Sequence, residues 1–473
     1  MLSDLHEVQV QPVALERLAG LLGSDRAERF ARTAETARAR LAGRRVVNVN
    51  STATGGGVAE LLQTLLAYAR GADIDARWVV MEGDARFFEI TKRIHNHLYG
   101  TEGDGGPLGD AERRHYEEIS LRNVARLRRA LAPDDLVVLH DPQTAALTRH
   151  FTTPDVKVVW RCHVGIDTPN QHSERGWAFL RPYLDNLDAY VFSCAQFAPA
   201  WVPADRLAVI APSIDPFSAK NEPMDRTHVI RVLHHVGILA GNEDHPAVSF
   251  PRRDGSRGIV ARPVNLFGTA RAPSDVPIVL QASRWDVMKD MRGVMIGFAE
   301  SIAPYTDAHL ILAGPATSGV ADDPEADDVL QACLDTWSRL PDTVRSRIHL
   351  VCVPMTDPDE AASIVNALQR YATVVVQKSL AEGFGLTVTE AMWKSRPVVG
   401  SRVGGIVDQI IPDHTGSLVN PASLDEYAHA VRALLADPGK ARQMGSAAHD
   451  RARDNFIGDH HLEQWAQLLE QLT

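Results

Sequence analysis

The feature that most constrains the fold is a regular alternation of short apolar strand patterns with amphipathic helix patterns. In the first half of the chain, strand patterns such as RRVVNVN, LVVLHD and KVVWRCH alternate with helical segments. In the second half, PIVLQAS, HLILAG, RIHLVCV, TVVVQ and PVVGS do the same. Such alternation predicts parallel sheets covered by helices on both faces, with ligands at the carboxyl ends of the strands. The sequence therefore predicts an α/β protein with two Rossmann-like, doubly wound units.

A stretch without clear periodicity separates the two series of strands and helices. It is rich in Pro, Gly, Arg and Asp, which indicates a linker or insertion. The polar helical pattern near the start shows few residues that demand burial, which favours a surface helix or an arm on a partner subunit. The predicted divisions are an N-terminal helical arm (1–43), a first Rossmann-like domain (44–225), the linker or insertion (226–275), a second Rossmann-like domain (276–450) and a C-terminal helix that could cross back to the first domain (451–473).

Composition limits the classes of function. The formal net charge of −11 argues against a general binder of nucleic-acid phosphates. The cysteines, Cys162, Cys194, Cys333 and Cys352, lack C-x-x-C spacing, so they indicate neither a zinc site nor a disulfide framework. The chain has no apolar run long enough to span a membrane, and its first residues lack the pattern of a secretory signal. These features predict a cytoplasmic protein without a nucleic-acid or membrane partner.

The most informative stretch is TVVVQKSLAEGFGLTVTEAMWKSRPVVGSRVGG, residues 373–405. It predicts a buried strand, a glycine-bearing loop that contains Glu382, and a helix that contains Glu390. N–H groups left unpaired at a helix start can bind an anion, and Gly383 and Gly385 permit positive φ or close approach of a ligand. On these residues alone, a simple βα turn with two solvated glutamates remains an equal alternative.

Three other strand ends carry candidate binding residues. The loop STATGGG contains Gly56 and Gly57 between a strand and a helix, which is typical of a phosphate or sugar site but also of a tight turn. Arg284 and Lys289 follow the strand PIVLQA, where two cations can reach one diphosphate, although arginine and lysine are usually solvated surface residues. His163 ends the strand pattern VVWRCH, where it can face a ligand or serve a structural role.

The stretch around Glu382 and Glu390 resembles the E-x7-E signature of retaining GT-B glycosyltransferases of family 4, which take a sugar from a nucleoside diphosphate. The resemblance implies two Rossmann-like domains that face each other across a cleft. It also implies an R-x4-K pair after the first strand of the donor domain and a histidine beside the transferred sugar. The catalytic residues implied are His163, Arg284, Lys289 and Glu382. The donor-binding residues implied are Gly56, Gly57, Arg284, Lys289, Glu382, Gly383, Phe384, Gly385, Leu386 and Glu390.

Several further stretches resemble the trehalose synthases of this family, which transfer glucose from a sugar nucleotide to free glucose. They include EGDARFFEITKRIHNHLYG and LHDPQ, and the likeness covers residues 44–472 apart from the insertion before Val276. A polar surface of the first domain is the alternative interpretation of these residues. The acceptor-binding residues implied by the resemblance are Glu82, Lys92, Asn96, Asp141 and Gln143.

The resemblance also implies the reaction and its partners. We expect a nucleoside diphosphate glucose and a small sugar acceptor, retention of the anomeric configuration, α,α-trehalose as product, and a homodimer. No D-x-D motif stands where a metal-dependent GT-A enzyme needs one, so we expect neither a metal nor another cofactor. Two alternatives stay open: the same donor chemistry on a sugar phosphate, polyol or secondary metabolite, and a protein that binds a nucleotide sugar without turnover. A dehydrogenase is a more distant hypothesis, because the chain lacks the dinucleotide fingerprint.

Overall fold

The chain forms two compact units, each built on its own sheet. Unit 1 comprises Met1–Ile214 and Phe456–Thr473, and unit 2 comprises Asp215–Asn455. The prediction of two Rossmann-like α/β units is confirmed. The computed structural model describes residues 6–53, 56–151, 156–185, 187–241, 248–252, 255–268, 270–317 and 325–473.

The sheet of unit 1 has the strand order β1-β3-β2-β4-β5-β6-β7. All of its pairings are parallel except that of β1 with β3 at one edge. Every residue of β2 and β4 is buried, including the polar Asn48, Asn50 and His140, as expected for strands of a sheet covered on both faces. The strands are β1 (His6–Glu7), β2 (Val46–Asn50), β3 (Ala76–Val80), β4 (Leu136–His140), β5 (Lys157–Cys162), β6 (Ala189–Phe192) and β7 (Leu207–Val209).

Unit 2 repeats this plan with a main sheet in the order β10-β13-β12-β11-β14-β15-β16. Its pairings are parallel except for β10 with β13 at the edge, and β8 and β9 form a separate antiparallel hairpin. The strands are β8 (Val248–Pro251), β9 (Arg257–Val260), β10 (Asn265–Phe267), β11 (Ile278–Ala282), β12 (His309–Pro315), β13 (Ile348–Val353), β14 (Val374–Gln377), β15 (Val398–Ser401) and β16 (Ser417–Val419).

Helices connect the strands and cover the sheets. Helices α1 to α7 and α17 belong to unit 1, and α8 to α16 belong to unit 2. Within the ranges given above, no helix is long and apolar enough to cross a membrane. The helices are α1 (Leu15–Ala19), α2 (Ser24–Arg40), α3 (Gly56–Gly71), α4 (Ala85–Leu98), α5 (Asp110–Ala130), α6 (Asp141–Thr144), α7 (Gln171–Leu180), α8 (Arg226–His235), α9 (Met291–Ser301), α10 (Ala326–Ser338), α11 (Asp342–Arg345), α12 (Pro358–Tyr371), α13 (Leu386–Trp393), α14 (Gly405–Gln409), α15 (Leu424–Ala436), α16 (Pro438–Asn455) and α17 (Gly458–Leu472).

Each main sheet has a point at which the strand order reverses. In unit 2 the chain runs from β11 outward to β13 and then returns to place β14 on the other side of β11. In unit 1 the corresponding reversal lies between β2 and β4. Loops diverge at such a switch point and leave a crevice at the carboxyl ends of the strands, which is where open α/β sheets bind ligands.

Of the two interpretations of residues 226–275, linker or insertion, the structure contradicts the linker, because these residues belong to unit 2. Helix α8 buries Val229, Val232 and Leu233 in the core of unit 2, and β10 extends its main sheet. The carboxylate of Glu360 on α12 accepts hydrogen bonds from the backbone N–H groups of residues 261 and 262, at 2.6 and 2.8 Å. The apolar spacing of α8 is helical, but the Pro- and Gly-rich sequence that follows it obscured the pattern.

The N-terminal residues are part of unit 1 rather than an arm on a partner subunit. Strand β1 pairs with β3, α2 packs on α17, and Phe30 of α2 is buried. Arg26 on α2 donates two hydrogen bonds to the buried carboxylate of Asp459 on α17, at 2.6 and 2.8 Å. The unit boundaries therefore fall at 214/215 and 455/456 instead of the predicted 225 and 450.

Candidate active site

The donor-site candidates of unit 2 lie on two loops that leave adjacent strands at its switch point. Loop A, residues 283–290, joins β11 to α9, and loop B, residues 378–385, joins β14 to α13. In loop A, the side chain of Asp286 accepts from the N–H of Met288 at 2.8 Å and shapes a single 3₁₀ turn. Asp290 then adopts a left-handed conformation, with φ of 47°, and caps α9.

Loops A and B meet through Lys289 and Glu382. The Lys289 ammonium lies 2.8 and 2.7 Å from the two carboxylate oxygens of Glu382. Glu382 is buried, with 7% of its surface exposed, and Ser379 Oγ donates to the same carboxylate at 3.1 Å. The structure thus brings together two residues that are 93 positions apart, as the sequence hypothesis requires. Their chemical roles remain predictions.

Further contacts join the loops beneath this pair. The ammonium of Lys378 at the start of loop B bonds to the carboxylate of Asp290 at the end of loop A. Gln281 of β11 donates to the carbonyl of Lys289 at 2.6 Å, and its side-chain oxygen accepts from the N–H of Lys378 at 3.0 Å. The sequence reasoning did not single out Lys378. A lysine directly after a buried strand and four residues before Glu382 was the signal that could have identified it.

Arg284 occupies the outer part of loop A. Its guanidinium lies 3.1 Å from the carboxylate of Asp286, and 44% of its side chain is exposed. Because the side chain is accessible, the guanidinium can approach a ligand from the solvent side. The structure thus places Arg284 and Lys289 on one loop, as the R-x4-K spacing predicts.

The glycines of loop B hold the start of α13 in place. Gly385 has φ of 86°, which is the left-handed region that favours glycine, and Leu386 begins the helix. Gly404 approaches so closely that a Cβ there would lie 1.8 Å from the Glu382 carbonyl oxygen. The side-chain amide of Gln409 donates to the carbonyl of the buried Phe384 at 2.6 Å. The carbonyl of Gly383 accepts from the backbone N–H of Gly405, the first residue of α14, at 3.1 Å.

Glu390 lies in a different environment from Glu382. It is buried on α13, with its carboxylate 3.4 Å from the amide nitrogen of Gln369 and 3.6 Å from the Lys220 ammonium. One turn later, the buried Lys394 donates to the Glu390 carbonyl at 3.1 Å, and burial lowers the pKa of this lysine well below its usual value. The partners of Glu390 are therefore these residues and not members of loops A or B.

In unit 1, the ends of β4 and β5 bring Asp141 and His163 together. The backbone N–H of His163 donates to Asp141 Oδ1 at 2.7 Å, and Asp141 has a left-handed φ of 64°. Burial raises the pKa of Asp141 to about 7, although the hydrogen bond from His163 and the charge of Arg161 oppose this shift. The carboxyl group therefore changes its charge near neutral pH.

The imidazole of His163 is set among other nitrogen groups. Arg161 Nε lies 3.1 Å from His163 Nε2 and 3.4 Å from Nδ1, and His140 Nδ1 lies 3.2 Å from Nε2. A guanidinium only donates, so one nitrogen of the neutral ring accepts from Arg161 and the other carries the proton. Burial, Arg161, His140 and His461 all lower the pKa of His163 well below its usual value. The imidazole is therefore neutral and can donate one hydrogen bond.

The other candidate acceptor-binding residues lie on several different elements of unit 1. The side chain of Glu82 is exposed and pairs with Arg126 of α5, so its carboxylate lies on the surface of unit 1. Lys92 and Asn96 are partly buried and one turn apart on α4, and Gln143 lies in α6, two residues after Asp141. Gly56 and Gly57 form the first turn of α3 rather than a loop, and residues 54–55 before them lie outside the described residues.

Comparisons with known families match both units. A family described as "Trehalose synthase, N-terminal domain" matches residues 48–199, and "Glycosyl transferases group 1" matches residues 352–451. A trehalose synthase from Pyrococcus horikoshii is 32% identical over 472 residues, which cover 100% of both chains. Another from Rubrobacter xylanophilus is 35% identical over 421 residues and 88% of both chains. A trehalose phosphorylase from Pleurotus pulmonarius is 24% identical, with 86% of this chain and 54% of that protein covered.

Solved structures share the fold. A sucrose-phosphate synthase from Thermosynechococcus elongatus aligns with a TM-score of 0.61 and 18% identity, covering 91% of this chain and 99% of that one. An α,α-trehalose-phosphate synthase (UDP-forming) from Burkholderia vietnamiensis aligns with a TM-score of 0.65 and 14% identity, covering 91% and 98%. At these identities the similarity establishes the architecture alone.

Proposed function

Because this chain belongs to the trehalose synthase family of GT-B glycosyltransferases, we propose that it transfers glucose from a nucleoside diphosphate glucose to free glucose, giving α,α-trehalose. Membership of the family establishes that the protein is a glycosyltransferase that acts on glucose. The nucleotide donor, the free sugar acceptor and the residue roles are the proposal. They are supported by relatives that span the whole chain and by the residues at the two switch points.

The contact between Lys289 and Glu382 supports the donor site most directly. It places a cation and a carboxylate together at the switch point of unit 2, where α/β sheets bind ligands. We propose that Arg284 and Lys289 neutralise the diphosphate and that Glu382 binds the sugar hydroxyls. Preorganised charges of this kind lower a barrier when negative charge grows on the leaving group. Glu390 would hold the ribose hydroxyls.

We propose a retaining, front-face reaction. The bond from the glucosyl C1 to the β-phosphate oxygen breaks, and the acceptor hydroxyl oxygen bonds to C1 on the same face. The acceptor proton passes to the departing phosphate oxygen, so no side chain is needed as a general base. Side-chain cations and amides at the start of α13 would compensate the phosphate charge, and we expect activity without an added divalent ion.

The hydrogen-bonding groups at the strand ends of unit 1 suit a sugar. We propose that His163 donates to a sugar hydroxyl and that Asp141 accepts from one. Gln143, Lys92 and Asn96 would add further contacts to the acceptor.

One incubation series tests the proposal. The protein is incubated with glucose and UDP-, ADP- or GDP-glucose, with and without EDTA, and the products are read as disaccharide and free nucleotide. We expect trehalose and nucleoside diphosphate in equal amounts, and their loss in Arg284→Ala. Unchanged turnover in this variant would contradict the donor-site assignment. Nucleotide binding without release of product would favour a non-catalytic nucleotide-sugar-binding protein.

The similarity to a trehalose phosphorylase supports a second candidate reaction, in which inorganic phosphate rather than a nucleotide is the partner of glucose transfer. Incubation of the protein with trehalose and phosphate separates the two. Release of glucose 1-phosphate would favour phosphorolysis, and its absence alongside nucleotide-dependent synthesis would favour the main proposal. Glucose 6-phosphate and polyols in the same series test the alternative acceptors.

A further inference from the structure

Loops A and B are joined by two ion pairs in which each loop contributes one cation and one anion. Loop A contributes the adjacent residues Lys289 and Asp290, and loop B contributes Lys378 and Glu382. Lys289 pairs with Glu382 at 2.7 and 2.8 Å, and Lys378 pairs with Asp290. Because β11 and β14 are hydrogen-bonded neighbours, the two pairs link the loops at the ends of these strands.

The two pairs differ in their access to solvent. The side chain of Lys378 is 1% exposed, whereas that of Lys289 is 15% exposed. A buried ammonium is strongly destabilising without an anionic partner, so Lys378 needs Asp290 in every state of the loops. Lys289 is nearer the solvent and can exchange Glu382 for another anion.

Asp290 also fixes the backbone next to Lys289. One of its carboxylate oxygens accepts from the N–H of Gly293 at 3.0 Å, and the other faces Lys378. On the strand side, Gln281 donates to the Lys289 carbonyl at 2.6 Å. Two contacts therefore hold the backbone at Lys289: the hydrogen bond from Gln281 to its carbonyl, and the fixed position of the next residue, Asp290.

We propose that the Lys378–Asp290 pair is a fixed clamp that positions Lys289, and that the Lys289–Glu382 pair is an exchangeable contact that the donor diphosphate displaces. Lys378 and Asp290 are thus positioning residues and do not themselves contact the donor. The inference rests on the proposed function, because it requires an anionic donor at loop A.

Asp290→Asn is the sharpest test, since asparagine tolerates a left-handed φ and can still cap α9. The variant keeps one oxygen for the cap and replaces the charged oxygen that faces Lys378 with an NH2 group, which cannot accept from the ammonium. We expect the Kd for UDP, ADP or GDP, whichever the wild type binds, to rise about tenfold, as the loss of one charged hydrogen bond predicts. The KM for the nucleotide sugar should rise similarly, while kcat and the KM for glucose change little. Lys378→Met should show the same split, and Lys378→Arg should bind the nucleotide nearly as the wild type does.

Asp413→Asn is the matched control. Asp413 is an exposed aspartate of unit 2 with φ of 62°, so the change in charge and in backbone preference is the same. If Asp290→Asn and Lys378→Met melt at lower temperature but bind the nucleotide with wild-type affinity, the pair is only structural and the inference is wrong. If the wild type binds none of the three nucleotides, the proposed function fails and the inference fails with it.

Discussion

The strand ends of the two units differ in how they handle charge. In unit 2, loops A and B carry full charges that pair with one another, Lys289 with Glu382 and Lys378 with Asp290. In unit 1, burial lowers the pKa of His140 to about 3, so this imidazole is neutral, and raises that of Asp141 to about 7; the cation beside them is the buried Arg161. A site of paired charges can exchange them for a polyanion, whereas neutral hydrogen-bonding groups match an uncharged sugar. This difference supports the proposal that unit 2 binds the nucleotide and that unit 1 binds the sugar acceptor.

The largest effect is expected from breaking the exchangeable pair of unit 2. Lys289→Met and Glu382→Gln should each lower kcat/KM for the nucleotide sugar by about 10²- to 10³-fold, because each removes a preorganised group at the reacting centre. Initial rates measured over a range of donor concentrations test this. Asp413→Asn serves as the control. A loss smaller than about threefold in both variants would contradict the view that this pair meets the donor.

The next effect concerns pH and unit 1. If the ionised carboxylate of Asp141 binds the acceptor, kcat/KM for glucose should fall by about tenfold for each pH unit below about 7, where this group becomes protonated. Asp141→Asn should have a lower value that is constant across this range. The measurement is a pH series at saturating donor concentration. A step of the same size in the variant would assign the titration to another group.

The same pKa shift predicts an opposite effect on stability. The folded pKa of Asp141 lies above the usual aspartate value of 3.8, so the folded state holds this proton more tightly than the unfolded state does. The contribution of Asp141 to stability is therefore greatest below about pH 4 and is lost as the pH rises towards 7. Asp141→Asn should unfold at a higher temperature than the wild type at pH 8, by roughly 2–4 °C. Thermal unfolding monitored by circular dichroism provides the measurement.

A smaller effect is expected at Glu390, which sharpens the distinction between the two glutamates of unit 2. Glu390→Gln should raise the KM for the nucleotide sugar by about three- to tenfold and leave kcat nearly unchanged, as the loss of uniform binding to a ribose predicts. Steady-state kinetics of Glu390→Gln and Glu382→Gln under one set of conditions provide the comparison. Equal losses of kcat in both variants would show that the two glutamates contribute to the same step.

The smallest effect is expected at Glu82. Its carboxylate is exposed and paired with Arg126, so Glu82→Gln should change the KM for glucose by less than about twofold. Asp141→Asn, measured beside it, gives the contrast within unit 1. A large rise in the KM for glucose in Glu82→Gln would instead indicate that Glu82 binds the acceptor.

The sequence predicted the two sheets because strand periodicity leaves a strong local pattern. The resemblance of the R-x4-K and E-x7-E stretches to family-4 transferases predicted that Lys289 and Glu382 lie near one ligand, but not that they pair with each other. It did not reveal Lys378 or Asp290, since their partnership depends on β14 lying beside β11, and strand order is a property of the whole chain. Arg161 was missed for a similar reason. An arginine inside a strand pattern gives no sign that it will be fully buried and lie against His163. The place of α8 was hidden by the irregular residues that follow it.

The return of α17 to unit 1 has a consequence for synthesis. Trp465, Leu468 and Leu469 join the apolar cluster that includes Val138 and Val159 of the first sheet, yet the ribosome makes them after all of unit 2. Unit 2 can finish folding while unit 1 still exposes an uncovered face, which is an opportunity for a chaperone to bind the nascent chain. A nonsense mutation at residue 456 would therefore leave unit 2 complete and remove part of the earlier-made unit 1.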